Sequence, residues 1–410
     1  MDADVARCPG VGLTAVLSDR RWVTPEMRLR RQYWHSFAAA ACVGPFLSYV
    51  LTDLGWSPRE IGYAAAVLTA SAVVTAPAWG WLDDASQRGA ARFSFLATAV
   101  AATFLTFAVS NLGIVPALCA VVLVGSASGS LEPLLTTGAL RNARTAYHLG
   151  ATRSLGSVGW ICGLGIGGAL LTVTDQTALV FLLAGVLAIS APLVPAVSGP
   201  SGVGGHPPLT ASRPGRPPIR VVLGVLSLTF PVSLCMSALV FFTAGWAHKD
   251  LGAGPLLAVG PLALSALLEL PAFVVVDRLS RSIAPRSLCG MAFPPLAVAC
   301  LALGVAPGTA IMFGVQPLVA LSFALWFVGQ SRLTAERVNL RQLATAMTLV
   351  STLGRGLAGP FAGIGGGAIA AVGGYDALFF TMAALCALGF ARVFLPLLIS
   401  SHYPNSRRLT

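Results

Sequence analysis

Charge is what this sequence has least of. Of 410 residues only 10% are charged, 15 acidic and 26 basic, while 56% are hydrophobic. An average soluble domain carries about 25% charged residues. So few charges cannot coat a soluble protein of this length. A soluble enzyme, a nucleic-acid binder and a disordered chain are therefore excluded as readings of the whole. Lysine is nearly absent, with Lys249 as its single instance. A phosphate-binding loop of the G-x-x-x-x-G-K-[ST] type is thus missing, which argues against bound ATP as an energy source. The eight cysteines make no disulfide framework. Seven of them (Cys42, Cys119, Cys162, Cys235, Cys289, Cys300 and Cys386) lie in or beside apolar runs, where Cys behaves as a small hydrophobe. No Cys/His spacing suits a metal. No Ser/His/Asp, paired-Asp or His-rich cluster lies within the apolar runs. The sequence thus predicts no catalytic residues, no metal and no cofactor.

What is abundant is long apolar stretches, with a mean hydropathy of +0.79. A membrane-spanning helix needs about 20 largely apolar residues. Twelve stretches qualify: 32–53, 58–82, 91–110, 113–138, 146–171, 177–197, 219–245, 254–277, 287–306, 309–330, 343–372 and 377–399. The eleventh is rich in glycine and is expected to form a helix shorter than its apolar run. Residues 1–31 hold six Arg and no apolar core, so they read as a cytoplasmic tail and not a signal peptide. With both termini inside, the inner segments hold 22 of the 26 basic residues, and the outer loops hold only Arg59 and Lys249. This bias fixes orientation through the positive-inside rule, and it accounts for the net charge of +11 without nucleic acid.

Residues 198–218 are rich in Pro, Gly and Ser and have no apolar period, which marks a linker. The expected domains are a tail (1–31), a six-helix bundle (32–197), a cytoplasmic linker (198–218), a second six-helix bundle (219–399) and a short tail (400–410). The halves resemble each other. Pro77-Ala78-Trp79, Asp83 and Arg92 recur as Pro271-Ala272-Phe273, Asp277 and Arg286. Leu155-Gly156 and Gly167-Gly168 recur as Leu353-Gly354 and Gly365-Gly366. Ala178-Leu179 and Phe181 recur as Ala377-Leu378 and Phe380. The fold class expected is an all-α polytopic membrane protein of twelve transmembrane helices in two six-helix pseudo-repeats. Parallel halves of this kind place a transporter's binding site between them, near mid-membrane.

Several motifs resemble the major facilitator superfamily. Gly80-Trp81-Leu82-Asp83-Asp84, followed by Arg88-Gly89 and Arg92, is similar to its signature between the second and third helices, with Ala85 where a basic residue is usual. Gly44-Pro45-Phe46-Leu47, the stretch from Tyr147 to Trp160, Glu269-Leu270-Pro271, and Gln316-Pro317-Leu318 with Ser322-Phe323 resemble the group of phenylpropionate permease, nucleoside–proton symporters and lactose permease-like proteins. The resemblance covers the chain from about residue 32. It implies packing of the fifth helix on the eighth across the halves, gating contacts by Asp83, Asp277, Arg92 and Arg286, and a place for Gln316 in the substrate site.

Four charges lie inside the spans: Glu132, Arg153, Glu269 and Arg355. Each costs about 2.5–3.5 kcal/mol at a helix centre unless it faces a cavity or a partner. Counted from the inner helix ends, Glu132, Arg153 and Glu269 lie at a common depth, roughly 10 Å in. Glu132 and Arg153 are expected to pair between adjacent antiparallel helices, while Arg355 reads as snorkelling to the interface. Functionally, Arg153 would bind substrate with Glu132, and Glu269 and Glu132 would carry the proton, since burial raises a carboxyl pKa and a nearby Arg lowers it. Trp160, seven residues after Arg153, projects from the same helix face. Lactose permease-like proteins have at this spacing a Trp that stacks on the sugar ring.

The expected function is secondary active transport, by alternating access, of a small polar or aromatic solute of the sugar, nucleoside or aromatic-acid type, coupled to protons by symport. The expected setting is a monomer in the lipid bilayer of the cell membrane (inner or plasma), with substrate and protons as partners and no nucleic acid. Gly150, Gly159, Gly163, Gly167 and Gly168 fit an exporter motif with Leu164 in place of its Pro, which keeps proton-antiport export of a drug or secondary metabolite as an alternative. A membrane sensor that transports nothing is a third reading.

Overall fold

The computed structural model describes residues 25–86, 90–132, 134–135, 149–174, 176–191, 219–338 and 340–402. The described residues are helical throughout, apart from short turns. The helices are α1 (Pro25–Asp53), α2 (Pro58–Ser86), α3 (Ala90–Asn111), α4 (Ile114–Ser128), α5 (Leu149–Val173), α6 (Leu179–Ser190), α7 (Ile219–Leu251), α8 (Pro255–Leu279), α9 (Pro285–Met291), α10 (Phe293–Val305), α11 (Thr309–Gly314), α12 (Gln316–Arg337) and α13 (Leu340–His402). Eight helical stretches among them are long and apolar enough to cross a membrane, and α4 and α6 are shorter apolar helices.

Helix ends follow local chemistry. Gly55 and Gly252 have φ of 81° and 61°, the left-handed region in which glycine ends a helix without strain. Pro58 and Pro255 open α2 and α8, where a missing N–H costs nothing. The stretch from α1 into α2 is therefore rebuilt in α7 and α8, as the internal repeat implied. Gly374 (φ 75°) turns α13 back on itself and gives it two arms, 340–373 and 375–402.

One expectation about the spans needs correction. The glycine-rich eleventh stretch does not stop short, since α13 is helical from Leu340 to its turn at Gly374. The ninth and tenth expected spans are Pro285–Val305 and Thr309–Arg337, each with one turn residue, Ala292 and Val315, where the helical hydrogen bonding is interrupted while φ and ψ stay helical. Prolines stand beside both. Pro294 and Pro295 follow the first and Pro317 the second, and each removes a backbone donor. Side chains supply donors at the breaks. Ser322 Oγ donates to the Ala292 carbonyl at 2.7 Å, and Gln316 Nε2 donates to the Met312 carbonyl at 2.7 Å.

Packing joins the helices into two sets and then joins the sets. In the first, α1 packs on α5 and α6, α3 on α4 and α6, and α2 on α4. In the second, α7 and α10 pack on α13, and α8 and α9 on α12. Across them run α2 with α13, α5 with α8 and α1 with α7. The fifth expected span thus meets the eighth, as the family resemblance implied. A continuous apolar core runs through both sets, while Val74, Val173 and Val372 are 77%, 81% and 85% exposed. Outward-facing valines of this kind suit lipid.

The α2–α13 seam is built from small residues. A Cβ on Gly62 would strike the Gly363 carbonyl oxygen and come within 3.0 Å of Gly367 Cα. Gly359 lies against Thr69 and Gly356 against Val73. Close approach of this kind drives helix association in lipid, where apolar burial gives no advantage. Near the end where α1 and α7 finish, called here the distal end, the Gly245 N–H donates to Ser48 Oγ at 3.2 Å. Gly168 packs against Leu256 there as well.

Gly62→Val should force α2 and α13 apart at a cost of about 1–3 kcal/mol. Unfolding of the detergent-purified protein, followed by fluorescence, should then shift down by about 5 °C. Gly165→Ala, with nothing within 4 Å of its new methyl, should leave the midpoint unchanged.

Candidate functional site

Glu132 lies in the helical turn that continues from α4, and Arg355 lies in the first arm of α13. Each stands 18 residues from its distal helix end, Ile114 and Gly373, or about 27 Å along the axis. At that shared depth Arg355 Nη2 approaches Glu132 Oε1 to 3.5 Å. The side chains are 37% and 31% exposed. This ion pair joins the two helix sets within the apolar zone. Each side chain keeps about a third of its surface exposed, so the attraction is below that of a fully buried pair.

The expectation for Arg355 is thereby corrected. It does not snorkel to the interface but reaches across to Glu132. Its sequence signal was an arginine amid glycines in an apolar run, and its partner lies 223 positions away. No local spacing rule links such positions. Arg153 lies in α5, and the placement of its side chain is outside the described residues.

Trp160, on α5, is half-buried against the apolar core. Glu269 is half-buried on α8, the helix that meets both α5 and α12. One turn beyond Glu269, Phe273 meets Phe323 at 6.1 Å and Phe327 at 5.7 Å, both edge-on. Trp326 joins this cluster at 5.6 Å from Phe323. On α12, Trp326 Nε1 and Gln330 Oε1 are buried with no hydrogen-bond partner among the described residues. They offer one donor and one acceptor on consecutive turns, which water or a polar solute can satisfy. Sequence reading missed both, because Trp and Gln in an apolar run carry no distinguishing spacing. Gln316, expected in the substrate site, is buried and holds the helix break through Met312.

The expected gating residues fall as follows. Asp277 pairs at 3.7 Å with Nη2 of Arg281, four residues on in the turn that follows α8, and both are widely exposed. Arg92 and Arg286 are exposed. Asp83 lies in the last turn of α2, with its side chain outside the described residues. The glycine row of α5 is a packing seam. Gly159 lies on the Trp34 carbonyl, Gly163 on Ala38 and Ala41, and Gly156 on Phe37. Among the described residues no group of His, Cys, Asp and Glu could hold a metal ion.

The arrangement is a charged, partly exposed site between two helix sets, which suits passage of a polar solute. Solved transporters share this architecture. A structure of the nucleoside transporter NupG superposes with a TM-score of 0.73 at 11% identity, covering 90% of this chain and 99% of that one. A bacterial homolog of the human lysosomal transporter Spinster, in an inward-facing and occupied conformation, superposes with a TM-score of 0.73 at 15% identity, covering 90% of this chain and 95% of that one. No curated protein sequence matches the chain. The profile of the MFS_1 like family matches residues 26–381. The chain is a multi-pass membrane transporter and not an enzyme, and it belongs to the MFS_1 like family of the major facilitator superfamily.

Proposed function

We propose that the protein is a proton symporter of a small polar or aromatic organic solute, working by alternating access in the cell membrane as a monomer. In this reading the helices form twelve spans. The pieces α9–α10 and α11–α12 each make one, the two arms of α13 make two, and α4 is completed by the turn bearing Glu132. The halves are 32–197 and 219–399, joined by a cytoplasmic linker at 198–218, with both termini cytoplasmic. The distal end then faces outward.

The observation that carries the proposal is the Glu132–Arg355 pair. An ion pair that joins two halves inside the membrane must break whenever they separate at that depth. A polar solute that offers its own groups to Arg355 or Arg153 eases that separation. Glu132, once freed in an apolar cavity, is favoured to take a proton. Solute and proton then move on one conformational change. Trp160 supplies a ring face and Glu269 a second proton acceptor. Asp83, Asp277, Arg92 and Arg286 gate the inner side. The small-residue seam and the Ser48–Gly245 contact close the outer side. Of the glycines that match an exporter motif, Gly159 and Gly163 pack α5 on α1, while Gly168 packs on Leu256 of α8.

In proteoliposomes with an imposed proton gradient, Glu269→Gln should abolish gradient-driven accumulation while solute exchange persists. Undiminished accumulation would remove Glu269 from proton coupling. Glu132→Gln and Arg355→Gln should each lower transport at least about tenfold, which corresponds to roughly 1.4 kcal/mol. The double variant should lose far less than the product of the two, since the residues act as a pair. Strict additivity would show that they act separately. Accumulation driven only by an outward solute–proton exchange would replace symport with antiport.

A further inference from the structure

Trp79 stands in a motif that both halves carry, Pro77-Ala78-Trp79 in the first and Pro271-Ala272-Phe273 in the second. The two rings do different work. Phe273 meets Phe323 and Phe327 edge-on, a contact that asks only for an aromatic ring. Trp79 reaches from α2 to α4, where its Nε1 donates to the Ser126 carbonyl at 2.7 Å. The first half thus adds an N–H at a position where the second half has apolar packing alone.

The acceptor explains the difference. Ser126 lies in the last turn of α4, which ends at Ser128. A helix leaves its last four carbonyls without intrahelical donors, and hydrocarbon offers no water in their place. The Gly129 N–H serves the Gly125 carbonyl at 3.0 Å. Side chains of neighbouring helices serve the next two. Trp79 donates to Ser126, and Ser94 Oγ of α3 donates to the Ala127 carbonyl. Thr75 Oγ1 also lies 3.1 Å from the Ser126 oxygen. It is nearer the Ser71 carbonyl of its own helix, at 2.8 Å, and a hydroxyl has one hydrogen to give. Beyond this helix end the chain turns at Gly129 and Ser130 and is helical again at Leu131 and Glu132. In the turn, Ser130 Oγ is buried with no hydrogen-bond partner among the described residues. Residue 133 is proline, which has no N–H to return to the Gly129 carbonyl. The placement of Glu132 therefore leans on the helix end before it.

We propose that Trp79 is a positioning residue, whose indole N–H fixes the end of α4 and so sets Glu132 opposite Arg355. The proposal rests on the transport site described above. α2 suits this duty because it touches the other partner's helix as well. A Cβ on Gly356, the residue after Arg355, would strike Val73 of α2. One helix thus places both members of the ion pair, Arg355 through Val73 and Glu132 through Trp79. Without the N–H the Ser126 carbonyl is left unsatisfied, which is costly for a buried acceptor. The end of α4 then shifts, and the 3.5 Å approach of Arg355 to Glu132 is lost.

The test is a set of unfolding midpoints for the detergent-purified protein, with no solute added. Trp79→Phe is measured in the parent and in the Glu132→Gln/Arg355→Gln double variant. Phe273 shows that a phenyl ring suits the repeated position. Trp79→Phe should lower the midpoint by at least about 2 °C more in the parent than in the double variant. A residue that only packs lowers both equally, and equal shifts overturn the proposal. A benzothiophene amino acid at position 79, with sulfur in place of the N–H and the ring outline kept, should give the same inequality where Trp79→Phe fails to fold. Thr75→Val should lower parent and double variant alike; if it alone shows the inequality, Thr75 replaces Trp79 and the proposal falls. Transport does not enter these midpoints. Equal shifts beside a Glu132→Gln variant that has lost proton-driven uptake defeat the role of Trp79 alone. Unequal shifts beside a Glu132→Gln variant with full uptake support the role of Trp79 and defeat the symport reading alone.

Discussion

Helices in hydrocarbon gain nothing by hiding apolar surface from lipid, so this bundle depends on close backbone contact and on polar pairing. The α2–α13 seam shows the first. Gly62, Gly359, Gly363 and Gly367 bring two backbones to a distance that no larger side chain permits. The same device joins α5 to α1 at Gly159 and Gly163. These seams are closely packed. They let each half move as a body, and they let the halves meet along a narrow line.

The polar pairs do different work. A charge in this setting is costly alone and only moderately favourable when paired. Few are kept, and two of the pairs bridge the halves. Glu132–Arg355 lies deep, and Asp53–His248 lies at the distal rim. Between them sits the half-buried Glu269, with the aromatic cluster of Phe273, Phe323 and Trp326 one turn on. A transporter has to make and break its closures in turn. Ion pairs suit that duty better than glycine seams, because water, solute groups or a proton can replace either partner.

The prolines mark where the helices yield. The helical hydrogen bonding of two spans is interrupted at Ala292 and Val315, and side chains of α12 serve both. The irregular backbone is thus satisfied inside the protein, as the absence of water in the bilayer requires. Ser322 and Gln316 stand in the stretch of α12 whose sequence resembles that of a transporter group. In this structure both donate to backbone carbonyls at the helix breaks.

The helical class, many of the helix ends, the repeat of one half in the other and the presence of four charges within apolar runs are all legible in the sequence. These are short-range properties. Hydropathy, left-handed glycines and proline act within a few residues of where they stand, and the repeat is visible because both halves obey the same rules. The tertiary structure alone decided who pairs with whom. Arg355 meets Glu132 and His248 meets Asp53, partners separated by much of the chain, and Trp326 and Gln330 are left with unmet hydrogen bonds. Distance in sequence carries no such information, because the pairings depend on how two rigid halves are set against each other by seams of glycine.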